Sequence, residues 1–363
     1  MGSRIEAVYR VRSDAKSIAA RARGIALEQS VEMPIEPIDD AFVLEEVVGR
    51  VESIEDAGDG EYNVRIALAA VTTGGEAGQL LNMLFGNTSI HDDVRLLDAE
   101  FPGDVVAAFG GPNHGLDGLR ARVKATGALS STAIKPQGLS PSALAKLAGA
   151  IALGGIDFIK DDHGIADQSY SPFAERVPAV AEAVAAAAAR TGIGTRYLPS
   201  LNGNLDAMRR QLALCRACGL DAVLATPMLA GLAQFHTLVK ENPDIAFMAH
   251  PSMAGGAIAP PFLLGKLFRL LGADATVFPN YGGRFGYTKD DCRRLARNAL
   301  EQRAGLKPCV PVPAGGMQLA RIPELLEFYG RDVMLMIGGA LLAARERITE
   351  QTARYCEAVR AWN

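Results

Sequence analysis

The chain has 363 residues, which at roughly 150 residues per domain means two domains, or one large barrel with an appendage. Its 49% apolar content, 38 glycines and 19 prolines describe a globular protein too hydrophobic for disorder. With 37 basic and 41 acidic residues the net charge is −4, so no basic excess exists to neutralise a nucleic-acid backbone.

Ile5 to Arg12 and Val64 to Leu68 alternate as half-buried strands do, and Ala15 to Ala26 has helical spacing. Gly58-Asp59-Gly60 predicts a turn between two strands. Residues 1–112 therefore read as a small α+β domain. Beyond Pro112 eight short, nearly continuous apolar runs recur: Leu129–Ile134, Ile156–Lys160, Tyr197–Ser200, Ala222–Ala225, Ile245–Ala249, Thr276–Phe278, Cys309–Val312 and Val333–Ile337. Continuous hydrophobicity marks strands covered on both faces, as in parallel sheets. The segments between them, such as Pro141–Leu153, Leu205–Cys218, Pro261–Leu271 and Ile322–Tyr329, have helical spacing. A doubly wound sheet with extra strands fits the same pattern, but eight is the number that closes. The prediction is a (β/α)8 TIM barrel over residues 113–363. The longest apolar stretch, Ala179 to Ala189, is short and broken by Glu182, which suits a soluble helix rather than a membrane span. The N-terminus lacks a signal-peptide layout, and five cysteines make no disulfide framework, so a cytoplasmic location is expected.

Barrel chemistry lies beyond the carboxyl ends of the strands. In strand order the residues there include Lys135, Lys160-Asp161-Asp162-His163, Asn202, Thr226-Pro227, His250, Asn280, Ala314-Gly315-Gly316 and Gly338-Gly339. The two glycine pairs stand where barrels commonly bind phosphate through exposed backbone N–H groups; tight strand-to-helix turns would use the same residues. Lys160 and Asp162 share one face of their strand. A buried ammonium is costly unless paired or neutralised. Carbamylation by CO2 would turn Lys160 into an anionic oxygen ligand and, with Asp162, make a Mg2+ site; a plain Lys160–Asp162 ion pair satisfies the spacing equally.

Gly154-Gly-Ile-Asp-Phe-Ile-Lys-Asp-Asp162 closely resembles the signature of the RuBisCO large-subunit superfamily. Thr132-Ala-Ile-Lys-Pro136 with Gly138-Leu-Ser140 resembles its strand-one motif, and Gly110-Gly-Pro-Asn-His-Gly115 the segment leading into its barrel. Ala314-Gly-Gly316 and Gly338-Gly339 resemble its phosphate-binding turns, and Glu28-Gln-Ser-Val31 the segment that reaches into a neighbouring subunit's active site. The resemblance thus implies a carbamylated Lys160, Mg2+, phosphate at residues 314–316 and 338–339, and a homodimer or higher oligomer of dimers completed by Glu28.

The departures matter as much. His163 stands where RuBisCO has a ligating glutamate, the loop after strand six has no lysine, Gln137 replaces the second strand-one lysine, and Pro251 replaces an arginine. These argue against ribulose bisphosphate carboxylation, and the chain resembles a RuBisCO-like protein instead. Two activities of that group are 2,3-diketo-5-methylthiopentyl-1-phosphate enolisation and 5-methylthioribulose-1-phosphate isomerisation. The position matching the enolase's lysine base is read as Asn113, which cannot take a proton. The expectation is therefore an isomerase acting on a small phosphorylated sugar through a metal-stabilised enediolate, with metal ligands Lys160, Asp162 and His163. Lys135 would be base or acid, His163 alternatively a proton carrier, and His250 a group polarising a substrate hydroxyl. Other readings are the enolase, a decarboxylase, a transcarboxylase or hydrolase, and a non-catalytic sugar-phosphate binder. Cys215-Arg-Ala-Cys218 is read as packing on an outer helix, His91-Asp-Asp93 as a solvated turn or helix start, and Arg284 as an anion-seeking loop or a solvated turn.

Overall fold

The structure is a computed structural model in which residues 2–283 and 285–362 are described, so Arg284 lies outside the described residues. The chain divides into two compact units. The first comprises Met1–Gly110 with Ala254–Leu263 and Ala304–Leu306; the second comprises Gly111–Met253, Leu264–Arg303 and Lys307–Asn363.

The first unit is an antiparallel sheet of β1 (Arg4–Arg12), β2 (Arg50–Gly58), β3 (Glu61–Ala69) and β4 (Val94–Glu100) in the order β2-β3-β1-β4. Ile5, Ala7, Tyr9 and Val11 on β1 are all buried, the period of two that the sequence carried. The helix Ile18–Glu28 starts three residues later than its apolar spacing suggested, because Asp14 caps the preceding turn through the N–H groups of Lys16 and Ser17. β4 was not anticipated, since its Val-Arg-Leu-Leu-Asp-Ala-Glu alternates imperfectly. Its outer edge is covered by a bridge between Leu96 and Ile258. Asp93, read as solvated, instead pairs with Arg21 through two hydrogen bonds of 2.9 and 2.8 Å.

The second unit carries eight parallel strands: β5 (Leu129–Ile134), β6 (Phe158–Asp161), β7 (Arg196–Leu198), β8 (Ala222–Ala225), β9 (Ala246–Ala249), β10 (Ala275–Pro279), β11 (Val310–Ala314) and β12 (Met334–Met336). They form two runs, β12-β5-β6-β7 and β8-β9-β10-β11. The Ser200–Leu224 bridge joins β7 to β8, and β11 lies beside β12. Together these close the TIM barrel. The β11–β12 seam lacks a ladder for a chemical reason. Val310 N–H bonds toward β10, so Pro311 and Pro313 face β12, and proline has no N–H to offer. All eight expected strands are present, with ends shifted by at most two residues. Leu129, Phe158, Leu198, Leu224, Met248, Val277, Val312 and Met336 meet in the core that fills the barrel.

Side-chain caps start the outer helices: Ser140 for Pro141–Ala152, Asn204 for Leu205–Ala217, and a Thr288/Asp291 capping box for Lys289–Leu300. The segment Pro261–Leu271 is not one α-helix; a wide π-turn runs over Pro261–Leu267 before the short helix Phe268–Leu270. Cys215 is buried on its outer helix and, like the other cysteines, unbridged. Among the described residues no helix is long and apolar enough to cross a membrane.

Candidate active site at the carboxyl ends of the barrel strands

The stretch from Gly154 to Asp162 separates into residues that build and residues that face the barrel mouth. A Cβ at Gly154 would lie 2.5 Å from Thr352 Cβ and 2.8 Å from Thr349 O, so only glycine lets β6 enter beside the helix Ile348–Arg360. Asp157 accepts from Ser130 N–H and Oγ at 2.8 and 2.6 Å, tying β6 to β5. Phe158 belongs to the barrel core, so Lys160 and Asp162, two and four residues on, continue the inward face. Asp161 points the other way. Its fully buried carboxylate accepts from Tyr197 Oη at 2.7 Å, Ser200 N–H at 3.1 Å and Arg176 Nε at 3.2 Å, which leaves it a structural anchor with no ligand role.

By the same alternation β5 presents Lys135, β9 presents His250, and β12 presents Gly338. Lys135 Nζ lies 3.4 Å from Asp162 Oδ1, and a Cβ at residue 338 would sit 3.9 Å from that same Nζ. His163 Nδ1 lies 3.7 Å from Asp162 Oδ2, and its ring stacks on His250 at 4.1 Å between centroids. The structure thus brings Lys135, Lys160, Asp162, His163, His250 and Gly338 together at one end of the barrel. The direct Lys160–Asp162 ion pair that spacing allowed does not form; Lys160 donates instead to Asp161 O at 3.0 Å, and Lys135 is the partner of Asp162.

Lys160 is only 3% exposed. Burial, with Lys135 adding to it against the pull of Asp162, lowers its pKa from an ordinary 10.5 to about 8. That places a penalty of roughly 3 kcal/mol on the ammonium form. A partly neutral amine is what reacts with CO2, so Lys160 suits carbamylation, and the product with Asp162 would be two anionic oxygen ligands beside the His163 imidazole. This donor set fits a divalent cation such as Mg2+. CO2 and Mg2+ activation is expected to accelerate as pH rises through about 8, where the amine loses its proton. Assays after preincubation at graded pH check this; a flat profile counts against it.

His250 has a fixed tautomer. Its Nδ1 accepts from Ser252 N–H at 3.3 Å with Ser252 Oγ at 3.0 Å, so the proton resides on Nε2. Burial, then the charges of Lys160, His163 and Lys135, lowers its pKa to about 2. It is a neutral hydrogen-bond donor and cannot serve as a base near neutrality.

The glycine turns lie beyond β11 and β12. Gly315 and Gly316 both have positive φ, 83° and 77°, and among the described residues the N–H groups of Gly315, Gly316 and Gly339 enter no backbone hydrogen bond. Ala314 ends β11 on its inward face. Gly283 backs onto this turn so closely that a Cβ there would fall 2.3 Å from Gly315 O. Gln137 lies over Gly164, supporting the turn that carries Asp162 and His163. Glu28, in the first unit, accepts from Asn87 Nδ2 at 2.8 Å, while its neighbour Gln29 is buried on Met83 O and Thr88.

One reading is corrected by position. Asn113 Nδ2 donates to Val239 O and Asn242 O, which precede the amino end of β9, and its neighbour His114 binds Asp274, which precedes β10. Asn113 therefore lies at the opposite end of the barrel from Lys160, and its lack of basicity says nothing about enolase chemistry. Sequence reasoning also gave no role to Thr226, whose buried Oγ has no partner among the described residues, nor to the Arg176–Asp161–Tyr197 anchor. Thr226 could have been found by parity, two residues past the core residue Leu224.

The family described as ribulose bisphosphate carboxylase large chain, catalytic domain, matches residues 115–346. The chain belongs to the RuBisCO large-chain family. It is 56% identical, over 99% of its length and 97% of the relative's, to a protein named 5-methylthioribulose-1-phosphate isomerase from Rhodospirillum rubrum. It is 30% identical, over 90% of its length and 85% of the relative's, to the 2,3-diketo-5-methylthiopentyl-1-phosphate enolase of Geobacillus kaustophilus. The solved Rubisco-like protein from Rhodopseudomonas palustris superposes with a TM-score of 0.94 at 51% identity, covering 100% of this chain and 99% of that one. Relatives in this family bear enzyme names, isomerase and enolase, which support an enzyme here.

Proposed function

We propose that the chain is an isomerase that moves protons along a phosphorylated ketose, converting 5-methylthioribulose 1-phosphate into methylthioxylulose 5-phosphate. What carries this reading is the 56% identity, nearly end to end, with the relative bearing the isomerase name, against 30% for the enolase.

The rim residues are consistent with it. Lys135, half-exposed and beside Asp162, takes the proton from the carbon next to the carbonyl, exchanges with solvent, and delivers a proton to the neighbouring carbon. His163, if it does not ligate the cation, is instead the second proton carrier. His250 donates from Nε2 to a substrate oxygen as charge develops there, without changing its own protonation. Carbamylated Lys160, Asp162 and His163 would hold Mg2+, which when bound polarises the carbonyl and stabilises the adjoining oxyanion. The phosphate lies against Ala314, Gly315, Gly316, Gly338 and Gly339, where backbone N–H groups are unspent. Glu28 completes the site of a second subunit in a homodimer.

The test is incubation with 5-methylthioribulose 1-phosphate and Mg2+ in D2O, followed by NMR. Deuterium at more than one carbon of the product is expected. Enolisation of the diketone substrate with no turnover of methylthioribulose phosphate would overturn the isomerase in favour of the enolase; no exchange with either would favour a non-catalytic binder. His163→Glu is expected to tighten Mg2+ binding in titration calorimetry by adding an anionic oxygen, whatever it does to turnover. Unchanged affinity would remove His163 from the ligand set.

A further inference from the structure

The opposite end of the barrel holds a second feature that the reaction does not use. A cavity of about 520 Å³ opens at the amino ends of β5, β6 and β7, lined by the loop Arg122–Ala128, the loop Gly192–Gly194, Asp157, Arg196 and Arg360. Its volume falls within the range of small-molecule sites. In a chain of net charge −4, this one lining carries Arg122, Lys124, Arg196 and Arg360 against the single acid Asp157.

The acids nearby do not neutralise all of that charge. One oxygen of Asp157 is committed to Ser130, and the other lies 3.4 Å from Arg360. Arg122 is paired with Asp221 at 3.0 Å. Arg196 directs Nε and Nη2 at one neutral acceptor, Arg122 O, at 3.1 and 3.0 Å, and meets no carboxylate among the described residues. The Lys124 backbone N–H closes the preceding helix on Ala121 O at 3.3 Å, while its side chain has no hydrogen-bond or ion-pair partner among the described residues. It is moreover held at φ 55°, a left-handed conformation where glycine would be the unstrained choice. Two cations without counter-charge among the described residues thus line the cavity, one of them on a strained backbone, while Val123 and Ile193 add apolar wall.

We propose that this basal cavity is a binding site for a small phosphate ester or anhydride of at least two negative charges, separate from the substrate's phosphate turn. A guanidinium and an ammonium lining one space recognise such an anion, and the apolar wall accommodates an organic portion.

The experiment is titration calorimetry of the whole protein with inorganic pyrophosphate, at low salt because the attraction is screened. Pyrophosphate is expected to bind wild type and Lys135→Ala alike. Lys124→Glu and Arg196→Gln are each expected to weaken it at least tenfold while leaving turnover of the substrate unchanged. Lys124→Gly separates charge from folding: it should raise the melting temperature without ligand, by relieving the left-handed backbone, yet abolish the pyrophosphate-induced rise. Binding lost in Lys135→Ala would put the anion at the carboxyl-end rim, and binding unchanged in Lys124→Glu and Arg196→Gln would mean a nonspecific ion; either result overturns the proposal.

Discussion

Lys160→Ala is expected to reduce solvent-deuterium exchange into the substrate by at least about 10³-fold, toward loss of detectable activity. A single acid–base group is typically worth about 10²–10⁴-fold, and Lys160 carries more than one such contribution if its carbamate also holds the cation. The same substitution should not unfold the protein. Its ammonium is disfavoured by roughly 3 kcal/mol where it stands, so removing it relieves a cost as well as leaving a void. Lys160→Met, which fills the space without the charge, is expected to be as inactive as the alanine variant and at least as stable as wild type in urea. Exchange at the wild-type rate in either variant would rule out the carbamate assignment. Loss of stability in the methionine variant would instead make Lys160 a structural residue.

Asp161→Asn is expected to destabilise the barrel by about 3–5 kcal/mol, the cost of removing one partner from a buried ion pair. Arg176 is wholly buried, and its Nε donates to that carboxylate at 3.2 Å. The neutral amide keeps the shape but leaves a guanidinium without counter-charge, and it turns an acceptor of three hydrogen bonds into a group that also donates. Because Asp161 ties the end of β6 to β7 through Tyr197 and Ser200, activity should fall together with stability. Equilibrium unfolding in urea measures the first effect. A change below about 1 kcal/mol, the scale of an exposed ion pair, would show that the anchor is dispensable. The adjacent Asp162→Asn offers the contrast: it faces the barrel mouth, so activity should be lost with little effect on unfolding.

These two neighbours show how far the sequence reaches. Alternation along a strand is a covalent property of extended backbone, so the run ending at Lys160 already placed Lys160 and Asp162 on one face and Asp161 on the other. The same local rule put Lys135, His250 and Gly338 on the inner face of their strands, and eight doubly covered apolar runs specified a closed parallel barrel. Chain-local patterns of hydrophobicity are legible because each depends on residues within a few positions of one another.

Partnership is not local, and only the tertiary structure decided it. Spacing alone allowed Lys160 to pair with Asp162, two residues away, but Lys135 from the neighbouring strand takes that place with Nζ at 3.4 Å, while buried Lys160 donates to a backbone carbonyl. Asn113 was placed by motif order beside the chemistry, yet its amide is consumed at the amino end of β9 by carbonyls 126 and 129 residues distant in sequence. The tautomer of His250 rests on the backbone turn of Ser252, and the anchoring of Asp161 rests on Arg176, which a helix of the outer ring delivers. Composition and periodicity determine which residues face inward and how many strands close the barrel. Which charge meets which, and at which end of the barrel a loop residue lies, follows from the three-dimensional packing of segments far apart in the chain, since electrostatic and hydrogen-bond partners are chosen by distance in space.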